Sequence, residues 1–103
     1  MIPELAERRT ELQALCLTFG VRRLEVFGSA ATGTFRADQS DLDFLVGFDM
    51  DVPQGSYSDR YFGLLESLER LFGRPVDLVV ASAIENPFFR ESVERTKALL
   101  YAA

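Results

Sequence analysis

The sequence predicts an α/β domain in which helices pack against a small mixed sheet of three or four strands. Three observations support this fold class. Some segments carry apolar residues at helical spacing, and others alternate apolar with polar residues. The two kinds of segment follow one another along the chain, which favours helices lying against a sheet. A chain of 103 residues can bury one core, so we expect a single domain over residues 1–103.

The first half of the chain contains a predicted helix and two predicted strands. The segment Pro3–Phe19 has apolar residues at helical spacing, and Gly20 follows where a C-terminal helix cap belongs. In Val21–Phe27, two aliphatic residues alternate with charged ones, which predicts a half-exposed strand that ends at Gly28. A small, polar stretch comes next and has room for one short helical turn. The segment Asp41–Phe48 is the second predicted strand.

The second half of the chain contains two predicted helices around a third strand. A helix should begin near Ser56–Ser58, after a loop rich in Pro, Gly and Ser. Its predicted apolar stripe consists of four residues: Phe62, Leu65, Leu68 and Phe72. The segment Val76–Val80 is the third predicted strand. Asn86 and Pro87 are suited to begin a last helix, which is predicted to run to about Tyr101.

Composition and charge exclude several classes of function. The net charge of −5 and a pI near 4.6 argue against direct binding of nucleic acid, which favours a basic surface. The single Cys16 cannot form an internal disulfide, and there is no leader-like start and no long apolar run. We therefore expect a soluble cytoplasmic protein that does not act at a membrane. Because the chain has no histidine, catalysis would depend on carboxylates, hydroxyls, arginines and a metal ion.

Two aspartates lie inside the second predicted strand. Side chains alternate across a strand, so Asp41 and Asp43 share one face and lie roughly 6–7 Å apart. Two carboxylates at this separation, near an apolar core, do not readily ionise together unless a cation lies between them. Mg²⁺ suits such oxygen ligands and is often completed by substrate phosphates. If the third strand lies beside the second, Asp77 can join the pair, and three carboxylates can hold the ions used in phosphoryl or nucleotidyl transfer.

Gly28 and Ser29 follow the first predicted strand and suggest a contact with phosphate. Glycine allows a ligand to approach the backbone, and a serine at a short helical turn offers a hydroxyl and nearby N–H groups. The motif is not a Walker loop, because Thr34 and Phe35 stand where Lys and Ser or Thr are required. Taken alone, Gly-Ser is most commonly a simple turn. Its combination with the three strand-embedded aspartates is what predicts a nucleotide site.

These residues resemble the DNA polymerase β-type nucleotidyltransferases, and the size of the chain is similar to the minimal nucleotidyltransferase branch of that superfamily. The resemblance implies the fold of that superfamily, ATP as the substrate and Mg²⁺ as the cofactor. It implies that Gly28 and Ser29 contact the triphosphate. It further implies that Asp41 and Asp43 bind Mg²⁺, with Asp77 as a third acid that activates the acceptor hydroxyl. Ala31 stands where many members carry arginine, and Arg36 is the nearest substitute for contacting the triphosphate.

The resemblance also implies a partner. Many members of this branch are antitoxins encoded with a HEPN-domain ribonuclease toxin, which they silence by transferring AMP to a tyrosine. The sequence leaves two alternatives open. The chain could instead be a catalytically marginal antitoxin that binds the toxin and occludes it, its acidic surface masking a basic groove. It could also transfer AMP to a small-molecule hydroxyl, although enzymes of that kind usually carry an added domain.

Overall fold

The computed structural model describes residues 1–33, 41–51 and 55–103, and in this part of the chain four strands form one mixed sheet. The strands are β1 (Val21–Phe27), β2 (Leu42–Phe48), β3 (Val76–Val80) and β4 (Ala98–Ala102). They lie in the order β3-β2-β1-β4. β1 runs antiparallel to both β2 and β4, whereas β2 and β3 are parallel. The predicted bounds of β1 and β3 are confirmed, and β2 begins one residue later than predicted.

Helices and one short turn connect these strands. They are α1 (Pro3–Glu7), α2 (Arg9–Phe19), α3 (Ser29–Thr32), α4 (Tyr57–Phe72), a 3-10 turn (Ala81–Ala83) and α5 (Pro87–Thr96). Gly20 and Gly73 end α2 and α4 in the left-handed conformation, with φ of 65° and 64°. The helices of the described residues are all too short or too polar to cross a bilayer.

The first predicted helix is interrupted at Arg8, where φ is −104° and ψ is 18°. The break separates α1 from α2 and lets α1 lean towards α3. There the Ile2 N–H donates to the carbonyl of Ala30 over 2.9 Å. The apolar spacing did not reveal the break, because Leu5 and Leu12 are buried on both sides of it.

The predicted last helix is wrong beyond Thr96. α5 ends there, Lys97 adopts an extended conformation, and the following residues form β4 against the free edge of β1. The local sequence is compatible with a helix, but pairing with β1 gives the backbone groups on that edge their hydrogen-bond partners. Tertiary pairing therefore overrides the local preference and adds the fourth strand.

The helices cover the two faces of the sheet unequally. The larger core lies between the sheet and the helices α1, α2 and α4, and includes Leu12, Leu24, Phe44, Leu64 and Leu68. A smaller cluster lies on the opposite face, beneath α5, and consists of Phe27, Leu45, Ile84 and Val93. The described residues therefore cover the opposite face only in part, and the part that they leave open contains the predicted acidic residues.

The buried stripe of α4 differs from the predicted one. Phe62, which was expected to point inward, is 56% exposed, and the fully buried residues are Leu64 and Leu68. Arg60, one helical turn before Leu64, is also buried. The predicted Leu68 is confirmed as buried, and Leu65 and Phe72 pack against the core, so Phe62 is the member that was wrong. The inward line also contains a charged residue, which the apolar pattern alone did not reveal.

The strand β1 was predicted to be half-exposed through its charged residues, and this is wrong for Glu25, of which only 5% is exposed. Its carboxylate forms ion pairs with Arg23 at 3.3 Å and Lys97 at 3.7 Å. Lys97 lies between α5, which packs on this face of the sheet, and β4, which pairs with the edge of β1. The burial could not be predicted because the segment that covers Glu25 was assigned to a helix.

Arg60 holds together three parts of the chain. Its Nε donates to the carbonyl of Phe19 (2.9 Å), and its Nη2 donates to those of Gly20 (2.6 Å) and Asp49 (2.7 Å). The guanidinium also lies 5.0 Å from the centre of the Phe48 ring. These contacts join the α2–β1 corner to the end of β2.

We expect Arg60→Met to lower the free energy of unfolding by about 3 kcal/mol, because several buried carbonyl groups lose a charged donor. Arg70→Met, on the exposed side of the same helix, is the matched control and should change it by less than about 0.5 kcal/mol. Urea denaturation followed by circular dichroism measures both values. Equal effects of the two substitutions would contradict the role given to Arg60.

Candidate functional site

The pairing of three strands brings the predicted site residues into one row. Asp43 of β2 is in register with Asp77 of the parallel strand β3. On its other side, Asp43 pairs with Phe27, the residue immediately before Gly28. Residues in register on neighbouring strands project to the same face of a sheet. The second and third strands are therefore neighbours, which is the condition that the sequence left open, and this places Asp77 beside Asp43.

The three carboxylates differ in burial. Asp41, immediately before β2, and Asp77 are exposed, whereas Asp43 is half-buried. The pKa of Asp43 is raised from its ordinary 3.8 to about 6, first because burial disfavours the carboxylate, and then through repulsion from Asp77 and Asp41. No lysine or arginine in the described ranges forms an ion pair with Asp43. The site therefore concentrates negative charge that no ion pair within the described residues offsets.

The donor set fits a hard divalent cation. Carboxylate oxygens are the protein ligands that Mg²⁺ prefers, and a bound cation would relieve the repulsion felt by Asp43. Within residues 1–33, 41–51 and 55–103, no three acidic or cysteine side chains converge closely enough to hold an ion as they lie. Asp41 and Asp77 are exposed, so their side chains are able to rotate towards Asp43. Substrate phosphates commonly complete such a coordination shell.

Gly28 lies directly against Asp43. Its φ of 69° and ψ of −148° fall in a region that is essentially restricted to glycine. A Cβ built on Gly28 would lie 2.6 Å from Oδ2 of Asp43. The backbone therefore approaches the carboxylate more closely than any other residue type would allow. Ser29 follows at once as the first residue of α3.

Hydrogen bonds fix the turn formed by Gly28 and Ser29. The Gly28 carbonyl accepts from the N–H of Ala31 (3.1 Å) and of Thr32 (3.2 Å). The Gly28 N–H donates to Oγ1 of Thr96, at the end of α5, over 3.1 Å. Thr96 was not among the predicted site residues. Nothing in the sequence indicated it, because it is 68 residues away and lay inside the predicted last helix.

Tyr61 is a second residue near the site that the sequence did not reveal. Its hydroxyl donates to the carbonyl of Leu78, the residue that follows Asp77, over 2.6 Å. Burial raises the pKa of Tyr61, and the charge of Asp77 adds to the effect. Tyr61 thus fastens α4 to the outer edge of β3 beside the carboxylates. Arg36, the predicted triphosphate contact, lies outside the described residues.

Comparisons with known sequences point to one family. The profile of the family described as nucleotidyltransferase domain matches residues 7–100. A relative from Methanocaldococcus jannaschii, named as a candidate protein adenylyltransferase, is 37% identical over 76 residues, which are 74% of this chain and 73% of the relative. The protein adenylyltransferase MntA of Thermococcus cleftensis is 41% identical over 68 residues, which are 66% of this chain and 64% of that protein.

Comparisons with solved structures give the same fold. A structure described as a candidate minimal nucleotidyltransferase is 37% identical, with a TM-score of 0.73 over 91% of this chain and 90% of the other. A complex of AMPylated Shewanella oneidensis HEPN toxin with MNT antitoxin contains a chain that is 16% identical, with a TM-score of 0.64 over 96% of this chain and 73% of that one. At that identity, the second likeness concerns the fold alone. The expected fold class is confirmed.

Proposed function

Because this chain belongs to the family of nucleotidyltransferase domains and is therefore a nucleotidyltransferase, we propose that it transfers AMP from ATP to a hydroxyl group of a partner protein. The observation that carries the proposal is the row formed by Asp43 and Asp77 on neighbouring strands, with Gly28 against Asp43 immediately after the end of β1. The row combines a close backbone approach with carboxylates on one face, as expected for a site that binds phosphates through a cation. The relatives named as protein adenylyltransferases support AMP as the transferred group and a protein as the acceptor.

In this proposal each site residue has one role. Gly28 and Ser29 bind the triphosphate, to which Arg36 adds a positive charge. Asp41 and Asp43 would hold Mg²⁺ together with phosphate oxygens, and Asp77 would complete the acidic set. When bound, Mg²⁺ supplies positive charge to the phosphate oxygens and makes the α-phosphorus more electrophilic.

The transfer itself is an in-line substitution at phosphorus. The acceptor oxygen bonds to the α-phosphorus of ATP, the bond from that phosphorus to the α–β bridging oxygen breaks, and pyrophosphate leaves. The hydroxyl proton passes to Asp77, which lies exposed at the edge of the row and can be reached by an acceptor from outside. A protein acceptor suits this open position, since it can supply its own binding surface.

We propose a HEPN-domain toxin as the partner, a tyrosine of that toxin as the acceptor, and the cytoplasm as the place of the reaction. The fold shared with the MNT antitoxin bound to an AMPylated HEPN toxin supports this choice. The single, buried Cys16 is compatible with a reducing compartment. The chain would then act as an antitoxin.

A transfer assay tests this function. The protein is incubated with Mg²⁺, labelled ATP and the product of the neighbouring gene as the candidate acceptor, and the mass of the acceptor is measured. We expect one or more AMP groups on the acceptor, and Asp77→Asn should slow the transfer by about 10²- to 10³-fold because the proton acceptor is lost. Asp51→Asn, which changes an exposed aspartate outside the row, is the matched control and should leave the rate unchanged.

Two outcomes would contradict the proposal: no labelled acceptor with the unmodified protein, or equal transfer by Asp77→Asn and the unmodified protein. Growth of cells that produce the toxin separates catalysis from occlusion. If Asp77→Asn still neutralises the toxin fully, the chain acts by binding rather than by AMP transfer.

A further inference from the structure

We propose that Thr96 is a positioning residue that holds the turn formed by Gly28 and Ser29 in the conformation that binds the triphosphate. This role rests on the proposed function, because it concerns the same nucleotide site. Thr96 does not itself touch the nucleotide in this proposal. It acts through the backbone of Gly28, to which it is hydrogen-bonded across 68 residues of sequence.

The first step of the argument is the position of Gly28 in the sheet. Phe27 is the last residue of β1 that pairs with β2, so Gly28 lies one residue beyond the ladder. A partly buried N–H in this position needs an acceptor other than a neighbouring strand. Oγ1 of Thr96 supplies that acceptor over 3.1 Å.

The second step is the orientation of the Thr96 hydroxyl. Oγ1 donates its proton to the carbonyl of Ser92, one helical turn earlier, over 3.0 Å. A hydroxyl has one proton to donate, so its lone pairs remain for the Gly28 N–H. The bond within α5 therefore fixes Thr96 as the acceptor. The peptide between Phe27 and Gly28 is in turn fixed in one orientation.

The third step is that α5 also holds this turn through an aromatic contact. The ring of Phe89 meets the ring of Phe27 edge to face, with 5.9 Å between the ring centres. Val93, between Phe89 and Thr96, is buried in the same cluster as Phe27. The helix thus contacts the chain immediately before Gly28 and also binds Gly28 itself.

The fourth step connects this anchor to the nucleotide site. Two groups confine Gly28. Thr96 accepts a hydrogen bond from the Gly28 N–H, and the carboxylate of Asp43 lies 2.6 Å from where a Cβ on Gly28 would be. Rotating the peptide would move Ser29, the next residue, and would also move the backbone that lies against Asp43. A turn already held in its binding conformation avoids the entropy loss of ordering it when ATP binds.

ATP binding in the absence of any acceptor tests this role. We expect Thr96→Val, which keeps the shape but removes the hydroxyl, to raise the dissociation constant of Mg²⁺-ATP about fivefold, as expected for one lost hydrogen bond. Thr96→Ser keeps the hydroxyl and should bind ATP as the unmodified protein does. The matched control is Thr18→Val, because Thr18 makes the same bond to the carbonyl of Ala14 in α2, far from the turn.

Hydrogen exchange of the Gly28 amide gives a second readout that does not depend on ATP. Exchange should be faster in Thr96→Val and unchanged in Thr96→Ser and Thr18→Val, with circular dichroism confirming that all three variants are folded. Unchanged exchange in Thr96→Val would show that the hydrogen bond from Thr96 does not hold the Gly28 amide. Faster exchange with unaltered ATP affinity would overturn the positioning role. If the unmodified protein does not bind ATP, the proposed function fails, and the exchange data still decide whether Thr96 holds the turn.

Discussion

Asp43→Asn is expected to reduce AMP transfer by about 10³-fold or more, and at the same time to stabilise the protein in the absence of Mg²⁺ above about pH 6. Transfer falls because the half-buried carboxylate at the centre of the row would lose the charge that holds the cation. Stability rises because the amide carries no charge to be desolvated or repelled by Asp77 and Asp41. Opposite effects on activity and stability are typical of a residue retained for function.

The pH dependence of stability follows from the raised pKa of Asp43, which is 3.8 in its ordinary state and about 6 in the folded protein. Between these values the folded protein binds more protons than the unfolded chain, so the free energy of unfolding falls as the pH rises through this window. A shift of this size would correspond to about 3 kcal/mol for a fully buried group, and partial exposure of Asp43 reduces it to about 1 kcal/mol. At pH values above the folded-state pKa of Asp43, this contribution to the free energy of unfolding is lost completely.

Thermal unfolding between about pH 4 and about pH 8, with and without Mg²⁺, measures this effect. Without Mg²⁺, the unmodified protein should lose a few degrees of melting temperature relative to Asp43→Asn as the pH rises. Added Mg²⁺ should restore the stability of the unmodified protein and leave Asp43→Asn unchanged. Asp51→Asn serves as the control for removing one negative charge. Parallel curves for Asp43→Asn and Asp51→Asn would contradict the assignment of the shifted carboxyl.

Gly28→Ala is expected to lower AMP transfer by at least about 100-fold, because a misplacement of about 1 Å at a reacting centre has this effect. A methyl group at this position would meet Oδ2 of Asp43 at 2.6 Å, so the turn or the carboxylate must move. The backbone conformation of Gly28 adds strain of about 1–3 kcal/mol for any other residue. The substitution thus disturbs the triphosphate contact and the metal ligand together.

Gly73→Ala separates the strain of a positive φ from the close contact with Asp43. Gly73 also has a positive φ, 64°, but nothing lies within 4 Å of a Cβ built there. The Gly73→Ala variant should therefore be less stable but equally active in transfer, whereas the Gly28→Ala variant should be both less stable and less active. Transfer rates measured at saturating ATP, with unfolding followed in parallel, make the comparison. Equal activity of the two variants would show that the contact with Asp43 is unimportant.

The sequence predicted the parts of the site that depend on local geometry. Alternation along a strand placed Asp41 and Asp43 on one face, and Gly28 was recognised because it follows a strand directly. The place of Asp77 depended on strand order, which one sequence does not contain; the parallel pairing of β2 and β3 decides it. The roles of these residues remain predictions until the variants are measured.

The parts that could not be predicted are those decided by distant contacts. The segment after Thr96 has no local feature that distinguishes a helix from a strand, and the free edge of β1 decides between them. The burial of Glu25 beside Lys97 follows from that outcome, whereas the hydrogen bond from Gly28 to Thr96 had no local signal because it joins residues 68 apart. One wrong element therefore concealed both the fourth strand and the burial of Glu25.

The parallel pairing of β2 with β3 also decides where the chain can change in length during evolution. The connection from Asp49 to Pro75 can gain or lose residues outside α4 without moving Asp77, provided that α4 keeps its core contacts and Val76 still enters opposite Leu42. One residue inserted between Val76 and Asp77 would instead place the aspartate opposite Phe44, on the apolar face. Insertions and deletions among proteins with this site should therefore accumulate in the connection and be absent immediately before the third acid.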